Sequence, residues 1–226
     1  FVGSGAVQYG QLYIVAEQFA RATVIIDHTG NATLNANVDI RVADGAQLTV
    51  VSLQDWDDKA VHTAHHRITV GRDARIKHVV VTLGGNLVRI LPSVDYTAPG
   101  GDAELIGLYF AGPNQHAEHR LFVDHSVENC RSNVTYKGAL NGEDAHTVWV
   151  GDVLIRAKAL GTETYEITTG RFDDEQLFYL MSRGISEEDA RNLVLRGFFE
   201  DVLNQINVHS IDDRVRARIE ERLADN

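Results

Sequence analysis

From about Val24 to Tyr165 the chain consists mainly of short runs of apolar and β-branched residues separated by turn-forming residues. The separators are rich in Gly, Asn, Asp and Pro, which favour turns. Apolar positions here do not recur every three or four residues, so no amphipathic helix is indicated. The pattern predicts an all-β body, whose clearest strand-like runs are residues 22–26, 47–53, 77–83, 105–110 and 147–155.

The turns recur at a regular spacing. A fixed period of turn and strand is typical of solenoid proteins. Two units of about 14 residues would form a coil of roughly 28 residues, which buries its inner face against the next coil. The repeat therefore favours a β-helix, and a β-sandwich, whose turns also recur at short intervals, is the alternative. The spacing is marked by a small alanine before each run, at Ala32, Ala46, Ala60, Ala74, Ala103, Ala117 and Ala145.

The pattern changes near residue 170, where helical signals begin. Asp173 opens an acidic first turn, Gly184 is suited to end that helix, and Ser186 is suited to cap the next one. A third helix is predicted to begin near residue 210. We therefore divide the chain into a β-helix core over residues 1–166 and a helical subdomain over residues 167–226. The apolar stripe of the second helix is expected at Ala190, Leu193, Val194, Gly197, Phe198, Val202 and Ile206.

Composition argues against several classes of function. The 226 residues carry a net charge of −11 and form no basic cluster, which argues against nucleic-acid binding. No apolar run approaches the roughly 18 residues of a transmembrane helix. The first residues lack the pattern of a secretion signal, and the single cysteine fits a reducing compartment, so we expect a cytoplasmic protein. Because no initiator Met is present, we expect a processed, truncated or partial chain.

The ten histidines raise the question of a metal site. Because strand side chains alternate, His62 and His66 share a face while His65 points away, so at most two of these three converge. A metal site needs at least one further ligand. We predict surface histidines on a solvated face, both here and at residues 116–125, and no metal site. The residues that come closest to metal ligands are Cys130, His116 and His119.

The sequence lacks the features of an autonomous enzyme. It has no glycine-rich loop ending in Lys-Ser or Lys-Thr, so it is not itself an ATPase. Cys130 has Arg131 beside it, which would favour a thiolate, but a lone cysteine in a β protein is usually a small buried residue. Adjacent acids such as Asp57-Asp58 point to opposite faces of a strand and cannot converge as glycosidase carboxylates do. We expect a non-enzymatic protein; a metal-dependent β-helix enzyme that uses the histidines is the alternative.

Three longer segments carry a family resemblance. They read GRFDDEQLFYLMSRGI at residues 170–185, HSVENCRSNVTYKGAL at residues 125–140 and VVTLGGNLVR at residues 80–89. Together they resemble the SufB/SufD family of the SUF iron–sulfur cluster assembly machinery. The form Gly-Arg-Phe-Asp-Asp-Glu-Gln is similar to SufD, and a SufB-type core scaffold is the alternative within the family. The single Cys130 argues against SufB.

The resemblance implies a right-handed parallel β-helix followed by a small helical subdomain. SufD proteins pair with SufB through their β-helices and bind the SufC ATPase through the helical part. A nascent iron–sulfur cluster is possible at the SufB interface, no cofactor is expected in this chain alone, and a homodimer is possible where SufB is missing. We expect some tail aromatics to form a local core and others to face the ATPase. The expected docking residues are Arg171, Phe172, Asp174, Glu175, Gln176, Phe178, Tyr179, Arg183, Gly184, Arg196, Phe198 and Phe199.

Two departures from the family pattern are visible. The helical region that precedes the β-helix in family members is absent from this sequence. Further strands, with a histidine just before the Gly-Arg-Phe-Asp-Asp-Glu-Gln motif, are expected between Glu166 and Thr169, where this sequence has only Ile167 and Thr168. The family's interface histidine therefore has no assigned counterpart in this chain. The short junction indicates either a deletion or residues missing from the sequence.

Overall fold

The computed structural model describes residues 1–140, 142–169, 174–206 and 208–224. In this part of the chain, eleven strands are followed by three helices. The strands are β1 (Val2–Ala16), β2 (Arg21–Val42), β3 (Gln47–Trp56), β4 (Val61–Val70), β5 (Arg75–Thr82), β6 (Leu87–Tyr96), β7 (Asp102–Ala111), β8 (His116–His125), β9 (Arg131–Leu140), β10 (His146–Ile155) and β11 (Glu163–Thr169). The helices are α1 (Asp174–Ser182), α2 (Glu187–Ile206) and α3 (His209–Ala224). None of these helices is long and apolar enough to cross a membrane.

The strands wind into a parallel β-helix. Every strand pair is parallel, and the strands stack alternately into two sheets. The first sheet contains β1, β4, β6, β8 and β10, and the second contains β3, β5, β7, β9 and β11. The long strand β2 contributes its carboxyl half to the first sheet and its amino half to the second. The predicted β-helix is confirmed, and the β-sandwich alternative is wrong.

The sequence repeat sets the length of one coil. Asn35 of β2 lies beside Thr63 of β4, 28 positions further along, and the two side chains are hydrogen bonded. The regular spacing of small residues has a packing reason, because Ala46, Ala60 and Ala74 are fully buried immediately before their strands. Inside the coil, like residues stack on like: Ile68 pairs with Val94, and Val94 with Val123. These stacked aliphatic residues form the main core.

One corner of the coil depends on glycine. Gly100 has φ +83°, and a Cβ at this position would lie 2.0 Å from a carboxylate oxygen of Asp73 in the previous coil. Asp73 itself has a positive φ of 51°. Because the two turns stack, a side chain on one leaves room only for glycine on the next. The turn signal at Ala98-Pro99-Gly100-Gly101 therefore reflects stacking between coils as well as chain reversal.

Helices α2 and α3 cover the outer face of the second sheet. Strands β3, β5 and β7 carry apolar residues on both faces, and Val79, Val80 and Val81 are all fully buried. Phe199 of α2 and Val215 of α3 lie in the same apolar cluster as the outward residues of these strands. The helical segment thus shares a core with the β-helix. The last strand ends at Thr169, three residues beyond the boundary placed at residue 166.

The ends of the helices follow the sequence signals, but the buried stripe of α2 differs. Gly184 has φ +86° after α1, and the Ser186 hydroxyl oxygen accepts a hydrogen bond from the Asp189 amide at 3.1 Å, as expected of a cap. Asp173 lies outside the described residues. Leu193, predicted to be buried, is exposed, which corrects the stripe. The buried face contains Ala190, Val202 and Ile206, as predicted, together with Leu195, Phe199 and Leu203, which were not in the predicted stripe.

Candidate functional site

Histidines line the interior of the β-helix. The prediction of a solvated histidine face is wrong, because His62 and His66 point inward on the same side of β4 as Ile68 and are almost completely buried. Of the three histidines of β4, His65 points outward and behaves as a surface residue, and its Nε2 lies 2.9 Å from the Ser93 hydroxyl. The alternation was predicted correctly, but its direction was not. The buried set comprises His28, His62, His66, His78, His119 and His125.

Each interior histidine has a polar partner inside the coil. His66 Nδ1 lies 2.9 Å from His78 Nε2, joining the two sheets. His62 Nδ1 lies 2.7 Å from the amide oxygen of Gln54, and His119 Nε2 lies 3.1 Å from the Thr82 hydroxyl. Within the described part of the chain, the opposite ring nitrogens of His62, His66, His78 and His119 are buried without a hydrogen-bond partner.

Burial keeps these imidazoles neutral. It lowers the pKa of His62 and His119 to about 3 and that of His78 to about 4, since a charged ring would lose its hydration. Burial, followed by the influence of His78, also holds the pKa of His66 well below its usual value. Neutral imidazoles can ligate metals, but among the described residues no group of three or more His, Cys, Asp or Glu side chains is arranged to hold one.

The three residues that came closest to metal ligands do not converge. His116 lies on the outer face of β8, with its Nε2 3.4 Å from a Glu118 carboxylate oxygen, whereas His119 points into the coil. Cys130 is buried in the main core, and its Sγ lies 3.6 Å from the Ala98 carbonyl oxygen. Burial raises the pKa of this thiol, so it does not present a thiolate at neutral pH.

The carboxyl-terminal end of the β-helix exposes two strand edges. Within the described residues, β10 pairs only with β8, and β11 only with β9. An unpaired strand edge presents free backbone donors and acceptors to another chain. Large apolar side chains are exposed at this end. They are Leu154, Ile155, Leu160, Tyr165 and Ile167.

Helix α1 and the adjacent part of α2 present a second apolar surface. Phe178 is 74% exposed and Tyr179 is 56% exposed. The Arg183 guanidinium lies 5.0 Å from the centre of the Tyr179 ring and donates a hydrogen bond of 2.9 Å to its hydroxyl. We call Phe178, Tyr179, Met181 and Leu193 the α1 surface, and all four are exposed. Met181 and Leu193 were not predicted for this surface, although their helical spacing from Phe178 and Ala190 was a signal.

The other predicted docking residues divide into three groups. Phe199 is 1% exposed, and its ring packs 6.1 Å from that of Phe110, so it belongs to the core. Arg196 is exposed on α2. Arg171 and Phe172 lie outside the described residues. Asp174, Glu175 and Gln176 form the first turn of α1, but their side chains and that of Phe198 also lie outside the described set.

Known proteins are similar in sequence to this chain along most of its length. A family model described as "SUF system FeS cluster assembly, SufBD core domain" matches residues 1–168 and 164–198. An iron–sulfur cluster assembly SufBD family protein of Mycobacterium tuberculosis is 47% identical over 259 residues, covering 98% of this chain and 65% of that protein. One from Mycobacterium leprae is 47% identical over 257 residues, covering 97% of this chain and 66% of that protein. The chain thus spans about 65% of the length of these relatives.

The comparisons also bear on the short junction between Glu166 and Thr169, which lies within β11. The two matched segments of the family model meet at residues 164–168, where the sequence lacks the expected strands. The alignment with the M. tuberculosis protein is 259 positions long, more than the 226 residues of this chain. The relative therefore contains residues that have no counterpart here. A second M. leprae family protein is 25% identical over 203 residues, covering 76% of this chain and 23% of that protein.

Proposed function

The chain belongs to the SufBD family of iron–sulfur cluster assembly proteins, and from this premise we propose that it is a SufD-type, non-catalytic scaffold subunit. In this role it pairs with a SufB-type β-helix and docks a SufC-type ATPase in the cytoplasm. The SufD assignment is supported by the Gly-Arg-Phe-Asp-Asp-Glu-Gln motif and by the single cysteine, which is buried and protonated.

The observation that carries the proposal is the pair of open strand edges at β10 and β11. Parallel coils stack by adding strands, so a second β-helix can extend both sheets across this end with backbone hydrogen bonds. The exposed Tyr165 and Ile167 would be buried by such a partner. An iron–sulfur cluster would be cargo at this interface, because the described residues of this chain alone provide no cluster of metal ligands.

The α1 surface supports the second contact. It lies on the helical segment, which is fixed to the β-helix through the buried face of α2. Exposed aromatic residues next to an arginine are common anchors of protein interfaces. Movement of an ATPase bound to the α1 surface would therefore be transmitted to the β-helix by packed side chains. This arrangement favours a scaffold whose shape is changed by its partner.

Binding to purified partners tests both contacts. The full chain is mixed with the SufB-type and SufC-type proteins of the same cell, and complexes are separated by size-exclusion chromatography. The Tyr165→Asp/Ile167→Asp variant is expected to lose the β-helix partner and keep the ATPase. The Phe178→Ala/Tyr179→Ala variant is expected to do the reverse. The Phe19→Ala variant changes an exposed aromatic residue near the amino-terminal end of the β-helix and should still bind both partners.

Two results would contradict the proposal. If the unchanged chain forms no complex with either protein, the scaffold role is wrong. If each double variant binds both partners as the unchanged chain does, the two surfaces are wrongly assigned. Circular dichroism of each variant excludes misfolding as the cause of a loss.

A further inference from the structure

A groove crosses the amino ends of four neighbouring strands of the second sheet. It has a volume of about 610 Å³ and is lined by the first residues of β2, β3, β5 and β7. The side chains that matter for its chemistry are Arg21, Thr23, Gln47, Thr49, Arg75 and Lys77. One side of the groove is bounded by the end of α2, because the Lys77 ammonium donates a hydrogen bond to the Gln205 carbonyl oxygen. The scaffold role assigns no task to this groove.

Two arginines in this groove are available for a ligand. Arg21 aligns with Gln47, and Gln47 aligns with Arg75, so the three side chains form one column on the outer face. Neighbouring strands lie about 4.8 Å apart, which separates the two arginine backbones by roughly 10 Å. Both arginines are exposed, and within the described part of the chain neither has a carboxylate within ion-pair distance.

The remaining charges make one end of the groove unfavourable for an anion. Lys77 is engaged by Glu104, whose carboxylate lies 3.3 Å away, and Asp102 lies beside Arg75 in the next strand. Carboxylates at this end repel an anion, so the favourable position is over Gln47 and Thr49, between the two guanidinium groups. There the hydroxyls of Thr23 and Thr49 and the Gln47 amide are further possible donors.

A cationic site of this kind is unusual in a chain with a net charge of −11. Guanidinium groups match the oxygens of phosphate with two parallel hydrogen bonds. We propose that this groove binds a phosphate-bearing small molecule, with a diphosphate group bridging Arg21 and Arg75. A single phosphate carries fewer oxygens and less negative charge than a diphosphate, so it forms fewer hydrogen bonds to the two guanidinium groups. Among the described residues no aromatic side chain lines the groove, so it has no stacking surface for a nucleobase.

Titration calorimetry on the full chain tests this site, with inorganic pyrophosphate and orthophosphate as probes at low ionic strength. Pyrophosphate is expected to bind at least tenfold more tightly than orthophosphate. ADP and GDP should bind with affinities within about threefold of each other, because their bases find no stacking partner. Equal binding of pyrophosphate and ADP identifies the diphosphate as the recognised group, and a clear preference for one nucleotide would overturn it.

Variants separate a defined site from general electrostatic attraction. Arg21→Ala and Arg75→Ala are each expected to weaken pyrophosphate binding at least tenfold. Arg41→Ala is the matched control, because Arg41 is also exposed but lies on the other sheet. It should change the affinity less than twofold. The inference is wrong if pyrophosphate does not bind, if the groove variants bind it unchanged, or if Arg41→Ala weakens it equally. Because no partner protein is involved, its failure would leave the scaffold role untouched.

Discussion

His66 and His78 face each other across the interior of the β-helix, with His66 Nδ1 2.9 Å from His78 Nε2. They come from β4 and β5, which belong to different sheets, so their contact ties the two walls of the coil together. Both rings are fully buried, and one nitrogen of each has no hydrogen-bond partner among the described residues. A contact of this kind requires at least one neutral ring, because two adjacent imidazolium ions would repel and would lack hydration.

The free energy of unfolding should therefore depend on pH. An imidazole in the unfolded chain has a pKa near 6.5, whereas burial lowers that of His78 to about 4 and those of His62 and His119 to about 3. Below pH 6.5 the unfolded chain binds more protons than the folded chain, so stability falls as the pH decreases. The loss should begin below about pH 6.5 and continue to about pH 3, the lowest of these folded-state pKa values. Urea unfolding at pH 7.5, 6.0 and 5.0 measures it.

Two variants assign this effect to the interior. His66→Leu/His78→Leu removes two of the titrating groups and replaces both partners together, so its unfolding free energy should vary less with pH. His65→Gln changes an exposed histidine of the same strand and should leave the pH dependence unchanged. A stability that is constant between pH 7.5 and 5.0 would show that the interior histidines do not titrate as their burial requires.

Asp55 should control the docking of α3. Its largely buried carboxylate accepts hydrogen bonds from Arg218 Nε at 2.6 Å and from Arg214 Nη2 at 3.0 Å. Replacing Asp55 with Asn leaves two arginines without their shared anion, which should cost about 1–3 kcal/mol. In the Asp55→Asn variant, hydrogen exchange in α3 should become faster than in the unchanged chain, and it should increase more in α3 than in β5. Asp57→Asn, at a nearby exposed position, is the control and should leave exchange in α3 unchanged.

Phenylalanines on two helices should differ strongly in their response to truncation. Phe199 is buried against Phe110, so Phe199→Ala should lower the free energy of unfolding by about 3–5 kcal/mol. Phe178 is exposed, so Phe178→Ala should change it by less than about 0.5 kcal/mol. Urea unfolding of both variants makes the comparison. A large loss with Phe178→Ala would mean that the α1 surface is part of the fold and is not free for a partner.

The β-helix could be predicted because its repeat depends on residues that recur at a regular spacing along the sequence. Several turns have a small buried residue such as Ala46 or Ala74 immediately before the strand, and this regularity is visible in the sequence without knowledge of the packing. The covering of the second sheet by helices α2 and α3 also has a signal in the sequence. The run Val79, Val80 and Val81 is apolar on both faces, which is typical of a strand buried on both sides, whereas β4 alternates.

The interior histidines could not be predicted from the same pattern. Polarity normally indicates the solvated face of a strand, so His62 and His66 were placed outside. Their inward direction follows from Ile68 and Val70 on the same side of β4, and from partners such as His78 that are distant in sequence. The buried face of α2 was misjudged for a related reason. This helix has apolar residues on several sides, and contact with the second sheet determines that Phe199 is buried while Leu193 is exposed.

Two glycines should respond in opposite ways to substitution by alanine. A Cβ on Gly138 of β9 would lie 1.9 Å from the ring of Tyr109, which stacks on His119 inside the coil. The ring is buried in the core, so an added methyl group forces the ring or the strand to shift, and Gly138→Ala should lower the free energy of unfolding by about 1–3 kcal/mol. A Cβ on Gly197 of α2 would meet no described atom within 4 Å beyond its own helix. Alanine also favours the helical conformation more than glycine does. Gly197→Ala should therefore raise the free energy of unfolding by about 0.5–1 kcal/mol. Thermal and urea unfolding of the two variants, measured together, give the comparison. If both substitutions have the same effect, the Tyr109 ring can move away from residue 138, and its stacking on His119 is not a fixed part of the interior.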